Sequence, residues 1–140
     1  MIRIPKKIYD EMIGHAKNGY PNEACGILAG PPPASPSAGA LVADRFFPMR
    51  NLDEASISYF MDPKEQLKVF KEMRAKNLEM LGIFHSHVAS EAYPSQKDVR
   101  LAFYAEASYL IVSLSDPDKP VLRSFRIENE KVTEEEIKIL

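Results

Sequence analysis

Two histidines, His85 and His87, stand one residue apart, and Asp98 follows a short way downstream. Side chains two apart on an extended chain point the same way. Residues 77–84, NLEMLGIF, are mostly apolar and read as a buried strand leading into His85. The pair can therefore present two imidazoles to one metal ion at a strand end. Two imidazoles and a carboxylate are a usual protein ligand set for a catalytic zinc, which keeps its fourth position for water. An H-x-H pair alone is common and says little. Ser95 and Asp98 also fit a helix capping box, with Ser95 as N-cap and Asp98 at N3. The two readings are compatible, because a helix start would hold Asp98 rigidly and aim it back at the strand end.

Glu23 opens a second apolar run, ACGILAG over residues 24–30. A glutamate at a strand end is most often simply solvated. Beside a metal ion it becomes a candidate general base. Cys25 lies in the same run and could be taken for a nucleophile with His85 or His87 as partner. Its small apolar neighbours favour an inert buried thiol.

The whole string, His85-Ser86-His87, seven residues, Ser95, two residues, Asp98, resembles the signature of the JAMM (MPN+) metalloproteases. In that family a distant glutamate precedes H-S/T-H-x7-S-x2-D, and residues 22–30, NEACGILAG, resemble its opening glutamate and strand. The resemblance runs from the first helix to about Ile127. It departs at Val88, where the family often has proline; Val88 is not a ligand, so this bears on loop stiffness. The resemblance implies an α/β fold, a curved mixed β-sheet flanked by helices, of the JAMM/MPN (cytidine deaminase-like) type. It implies Zn2+ held by His85, His87 and Asp98, with Glu23 shuttling a proton and the Ser95 hydroxyl donating to the oxyanion. Ser86, pointing away from the imidazoles, is given a structural role.

The string HSH-x5-YPS-x2-D is most similar to the prokaryotic stand-alone branch of the family. The branch acts on ubiquitin-like sulfur-carrier proteins, and one type releases cysteine from a carrier's C-terminal Gly-Gly. The resemblance thus implies a zinc metallopeptidase cutting a peptide or isopeptide bond at such a tail. Residues 51–61 are the candidate edge along which the tail would lie. RadC-like proteins, linked to DNA repair, carry a similar string, but the acidic balance here and the lack of a DNA-binding helical module speak against that reading. A non-catalytic MPN scaffold would have lost metal ligands, and every ligand position is filled. A zinc deaminase would need a P-C-x-x-C pair, and the chain has one cysteine.

A chain of 140 residues is expected to form one domain, 1–140, and to bury ~two thirds of its unfolded surface. A net charge of −2 argues against a nucleic-acid backbone as main partner. The single cysteine suits a reducing compartment. The N-terminus has no apolar core long enough for a signal peptide, and no apolar stretch is long enough to span a bilayer. These features lead to the expectation of a cytoplasmic protein without membrane or nucleic-acid partners.

The elements that must position the site follow from local pattern. A strand is expected over residues 1–4 and a helix from Pro5 to Gly19 with an apolar stripe at Ile8, Met12 and Ala16. Strands are expected over 23–30, 41–49 and 55–61, with a proline- and serine-rich loop at 31–39. Asp62, Pro63 and Glu65 mark a helix start, with the helix running to about Lys76. Strand 78–85, loop 88–94, helix 97–107 and strand 108–114 follow, then strands over 121–128 and 131–139.

Overall fold

The computed structural model describes residues 1–32 and 41–140; most of the expected loop at 31–39 lies outside them. The chain runs β1 (Ile2–Ile4), α1 (Lys6–Gly19), β2 (Cys25–Gly30), β3 (Leu41–Val42), β4 (Arg45–Met49), α2 (Pro63–Ala75), β5 (Glu79–His87), α3 (Gln96–Arg100), β6 (Ser108–Ser113), β7 (Val121–Glu128), β8 (Lys131–Glu135) and β9 (Ile137–Ile139). Six strands form one sheet in the order β4-β2-β5-β6-β7-β8, and β3-β1-β9 form a smaller one. The large sheet is mixed, because β5 and β6 are parallel and the other pairs antiparallel. This is the expected α/β class with a mixed sheet flanked by helices. No helix among the described residues is long and apolar enough to cross a membrane.

Each face of the sheet is covered for a reason visible in the residues. Ile8, Met12 and Ala16, one stripe of α1, are buried against Leu28, Phe46, Phe84, Leu110 and Val112. On the opposite face Val69 and Met73 of α2 pack on Cys25, Ile27, Ala29, Phe47 and Met49. Ala92, Ala107, Tyr109, Ile111, Phe125 and Ile127 form a neighbouring cluster. Strand β2 is buried on both faces, which suits its run of small and apolar residues. At Gly26 an added Cβ would lie 2.5 Å from the Phe46 ring, so no larger residue fits there without a shift. The start of α2 is fixed as expected: Asp62 Oδ1 accepts from the Lys64 amide at 2.9 Å and Pro63 opens the helix.

Four expectations are corrected. The strand expected over 55–61 is absent; that segment is a loop closed by an isolated bridge between Asn51 and Met61. The Asn51 side chain bonds the Phe60 amide and the Ser58 carbonyl, groups that a neighbouring strand would otherwise engage. The helix expected over 97–107 is only α3, Gln96–Arg100. Apolar residues at 101, 102 and 103 in succession cannot share one helical face, and Leu101 and Phe103 are left exposed. The strands expected over 41–49 and 131–139 are each split, with one half in each sheet. The first split falls at Ala43 and Asp44, whose amides bond Arg3 and Ala29 respectively, one residue in each sheet.

Candidate metal centre

Strand β5 delivers both histidines to the sheet face that carries α2. In register, His85 is paired with Cys25 of β2 and with Ile111 of β6, so it emerges between the two apolar clusters on that face. His85 and His87 are buried, and their Nε2 atoms lie 3.1 Å apart. Each is also 3.1 Å from Asp98 Oδ2. Three candidate ligand atoms thus form a nearly equilateral triangle. A tetrahedral zinc ~2.0–2.1 Å from nitrogen and oxygen ligands places them ~3.3 Å from one another. The observed triangle fits such an ion.

The orientation of each group has a local cause. His87 Nδ1 donates to the Glu91 carbonyl at 2.8 Å, since a carbonyl only accepts; in the neutral ring Nε2 then turns its lone pair toward the triangle. Asp98 is held by α3, where its Oδ2 accepts from the Ser95 amide at 2.9 Å and its own amide donates to Ser95 Oγ at 3.1 Å. The capping box and the ligand position are therefore served by one carboxylate.

Electrostatics at the triangle favour positive charge. Without an ion, burial works against an ionised Asp98, but hydrogen bonds from His85 and from a His87 ring protonated on both nitrogens outweigh it and hold the carboxyl well below its usual range. Burial also works against a charged His87, yet the bonds to Asp98 and to the Glu91 carbonyl raise its imidazole above the ordinary value.

Glu23 lies two residues before β2, next to Ala24, which is tied to Ser86 of β5. The Ser86 amide donates to the Ala24 carbonyl at 3.0 Å, and the Ala24 amide donates to Ser86 Oγ at 2.8 Å. These bonds continue the contact with β5 past Cys25, and Glu23 is the residue before Ala24; the charges of His87, Asp98 and Lys97 all act on its carboxyl. Glu23 is 7% exposed. Burial lifts its carboxyl to about 7; His87 opposes this, Asp98 adds to it and Lys97 opposes it. Its carboxylate lies outside the group of three that could hold a metal.

Residues 5–128 match the family described as prokaryotic homologs of the JAB domain. The chain belongs to this JAB (JAMM) family. CysO-cysteine peptidase of Mycobacterium tuberculosis is 41% identical over 133 residues, 95% of this chain and 87% of that protein. Protein DSY2949 from Desulfitobacterium hafniense has a solution structure that superposes with a TM-score of 0.88 at 46% identity, covering 100% of this chain and 93% of that one. AF2198, a JAB1/MPN domain protein from Archaeoglobus fulgidus, shares the fold at a TM-score of 0.62 and 17% identity, covering 99% and 98% of the two chains. The chain is accordingly a hydrolase of the JAMM metalloprotease type.

Within this JAMM domain the remaining residues sort by contact. Ser86 is fully buried and tied to Ala24, as its expected structural role requires. Cys25 is buried, and burial pushes its thiol up to about 12, which leaves no thiolate for attack. Ser95 is exposed at the N-cap of α3. Sequence reasoning missed Tyr59, whose ring stacks on His85 with centroids 4.7 Å apart and planes 25° from parallel. No spacing in the chain ties residue 59 to residue 85. It also missed the Glu91 carbonyl, since backbone partners leave no trace in residue type.

Proposed function

We propose that the chain is a zinc-dependent peptidase that cuts the bond after the C-terminal Gly-Gly of a ubiquitin-like sulfur-carrier protein, with cysteine as a leaving group. The observation that carries this reading is the 3.1 Å triangle of His85 Nε2, His87 Nε2 and Asp98 Oδ2 with the buried Glu23 beside it. His85, His87 and Asp98 hold the ion. Bound there, zinc supplies a water acidified from a pKa of 15.7 to ~7 and a Lewis acid for the carbonyl. Glu23 accepts a proton from the attacking water and returns it to the departing amine. The Ser95 hydroxyl accepts from the Asp98 amide through its oxygen and keeps its own proton to donate to the oxygen that becomes negative. The Ser86–Ala24 bonds hold the segment just before β2, which carries Glu23, against the strand that carries the imidazoles.

The carrier is inferred from the 41% identity to CysO-cysteine peptidase, which spans nearly the whole chain. An extended diglycine tail fits a site at a strand end, where main-chain groups can be engaged without side-chain bulk. The test is incubation of the zinc-loaded protein with sulfur-carrier proteins ending in Gly-Gly-Cys, read by intact mass. Loss of one cysteine from a carrier supports the reading; carriers that stay intact at stoichiometric enzyme count against it.

A further inference from the structure

The two histidines of the triangle are held by different means. His87 has the partner that metal-bound imidazoles normally have: its Nδ1 donates to the Glu91 carbonyl at 2.8 Å. His85 does not. Its Nδ1 is buried with no hydrogen-bond partner among the described residues. What His85 has instead is a flat contact, the Tyr59 ring stacked on it at 4.7 Å and 25°.

Tyr59 sits on a loop whose backbone is fixed from within. Asn51 Nδ2 donates to the carbonyls of Glu23 and Ser58, both at 3.0 Å. Asn51 Oδ1 accepts from the amides of Asp53 at 3.0 Å and Phe60 at 2.9 Å. All four hydrogen-bonding positions of the carboxamide are thereby filled. The Glu23 amide in turn donates to the Ala55 carbonyl at 2.8 Å. One amide side chain thus fixes the residues on either side of Tyr59 and ties the loop to the backbone of Glu23.

We infer that Tyr59 is the positioning residue for His85, its ring fixing the imidazole plane where no hydrogen bond does, on a loop pinned by Asn51. This rests on the metal-site reading above. The contribution is made by the ring face, so the hydroxyl is dispensable and a branched aliphatic side chain is no substitute.

Zinc affinity of the metal-free protein, measured by competition with a chromophoric chelator and without any substrate, tests this. Tyr59→Phe is expected to bind zinc within about twofold of the parent, because the stack is kept. Tyr59→Leu is expected to bind about tenfold to a hundredfold more weakly, the usual cost of losing a partner that orients a ligand. The d–d spectrum of the cobalt-loaded protein should change for Tyr59→Leu and not for Tyr59→Phe. Asn51→Ala, which frees the loop, should weaken zinc binding in the same direction and decides the matter if Tyr59→Leu does not fold. Parent-like affinity in Tyr59→Leu, or in Asn51→Ala where the former does not fold, overturns the inference while leaving the metal site standing. So does Tyr59→Phe binding as weakly as Tyr59→Leu. A parent that binds no zinc overturns the metal site and this inference together.

Discussion

Ser95 and Asp98 bond to each other twice, amide to side chain in both directions, at 2.9 and 3.1 Å. The Asp98 oxygen that closes this box also lies 3.1 Å from both imidazoles. The start of a five-residue helix is thus enough to hold a ligand, because the cap fixes the carboxylate before any ion arrives.

The cap role of Ser95 and its proposed role as a hydroxyl donor can be separated by substitution. Ser95→Ala should lose ~1 kcal/mol of stability through the cap. Ser95→Gly should lose only a few tenths. Both remove the hydroxyl donor, so both should lower kcat by ~10²–10³. Zinc content should persist in each, because the bond to Asp98 Oδ2 comes from the Ser95 backbone. Denaturant midpoints, zinc content and kcat on one set of preparations check this. Catalysis that tracks stability across the two variants would assign Ser95 a cap role alone.

Glu23→Gln should keep the metal and lose hydrolysis. A positioned proton acceptor contributes ~10²–10⁴ in rate, and the amide cannot accept the proton. Since Glu23 is not one of the three grouped ligands, zinc content should match the parent. Unchanged turnover would remove Glu23 from the mechanism.

The same substitution has a signature in the metal-free protein. Burial raises the Glu23 carboxyl from 4.5 to about 7, so between those values the folded chain binds more protons than the unfolded one. Stability therefore falls as pH rises through that window. At roughly 1.4 kcal/mol per pKa unit, the loss amounts to about 3 kcal/mol above the window. Metal-free Glu23→Gln, which never ionises, should be the more stable protein at pH 8, with the gap closing by pH 4.5. Urea titrations at both pH values measure it. An equal gap at both would place the carboxylate in solvent.

Ser86→Ala should leave the Ala24 amide buried without its 2.8 Å partner. The cost of such an orphaned donor is ~1–3 kcal/mol. Zinc affinity should change little, since Ser86 points away from the imidazoles. A chemical denaturation series reads the loss, and a parent-like midpoint would show that the Ala24 amide finds another partner.

The parts of the site that the sequence displayed are those written in residue type at short range. Alternation on an extended chain put His85 and His87 on one face, and the box residues Ser95 and Asp98 are three apart. Glu23 is far away in sequence, and only its likeness to a family glutamate marked it; the bonds between its neighbour Ala24 and Ser86 supply the physical link to β5. What stayed hidden was set by side chains acting on distant backbone. Asn51 turned an expected strand at 55–61 into a pinned loop and put Tyr59 over His85. The apolar run after Arg100 suggested a longer helix, but its residues serve the turn into β6, where the Tyr104 amide donates to Tyr109 Oη at 2.9 Å. The two split strands pass from one sheet to the other, and hydropathy does not record which sheet a residue joins.

The most direct measurement is zinc content of the purified chain alongside carrier cleavage by the same protein before stripping, after stripping and after zinc is restored. About one zinc per chain is expected, as a single three-ligand site dictates, with cleavage lost on stripping and recovered on reloading. Full cleavage by the stripped protein would contradict a metal held by His85, His87 and Asp98 as the centre of its chemistry.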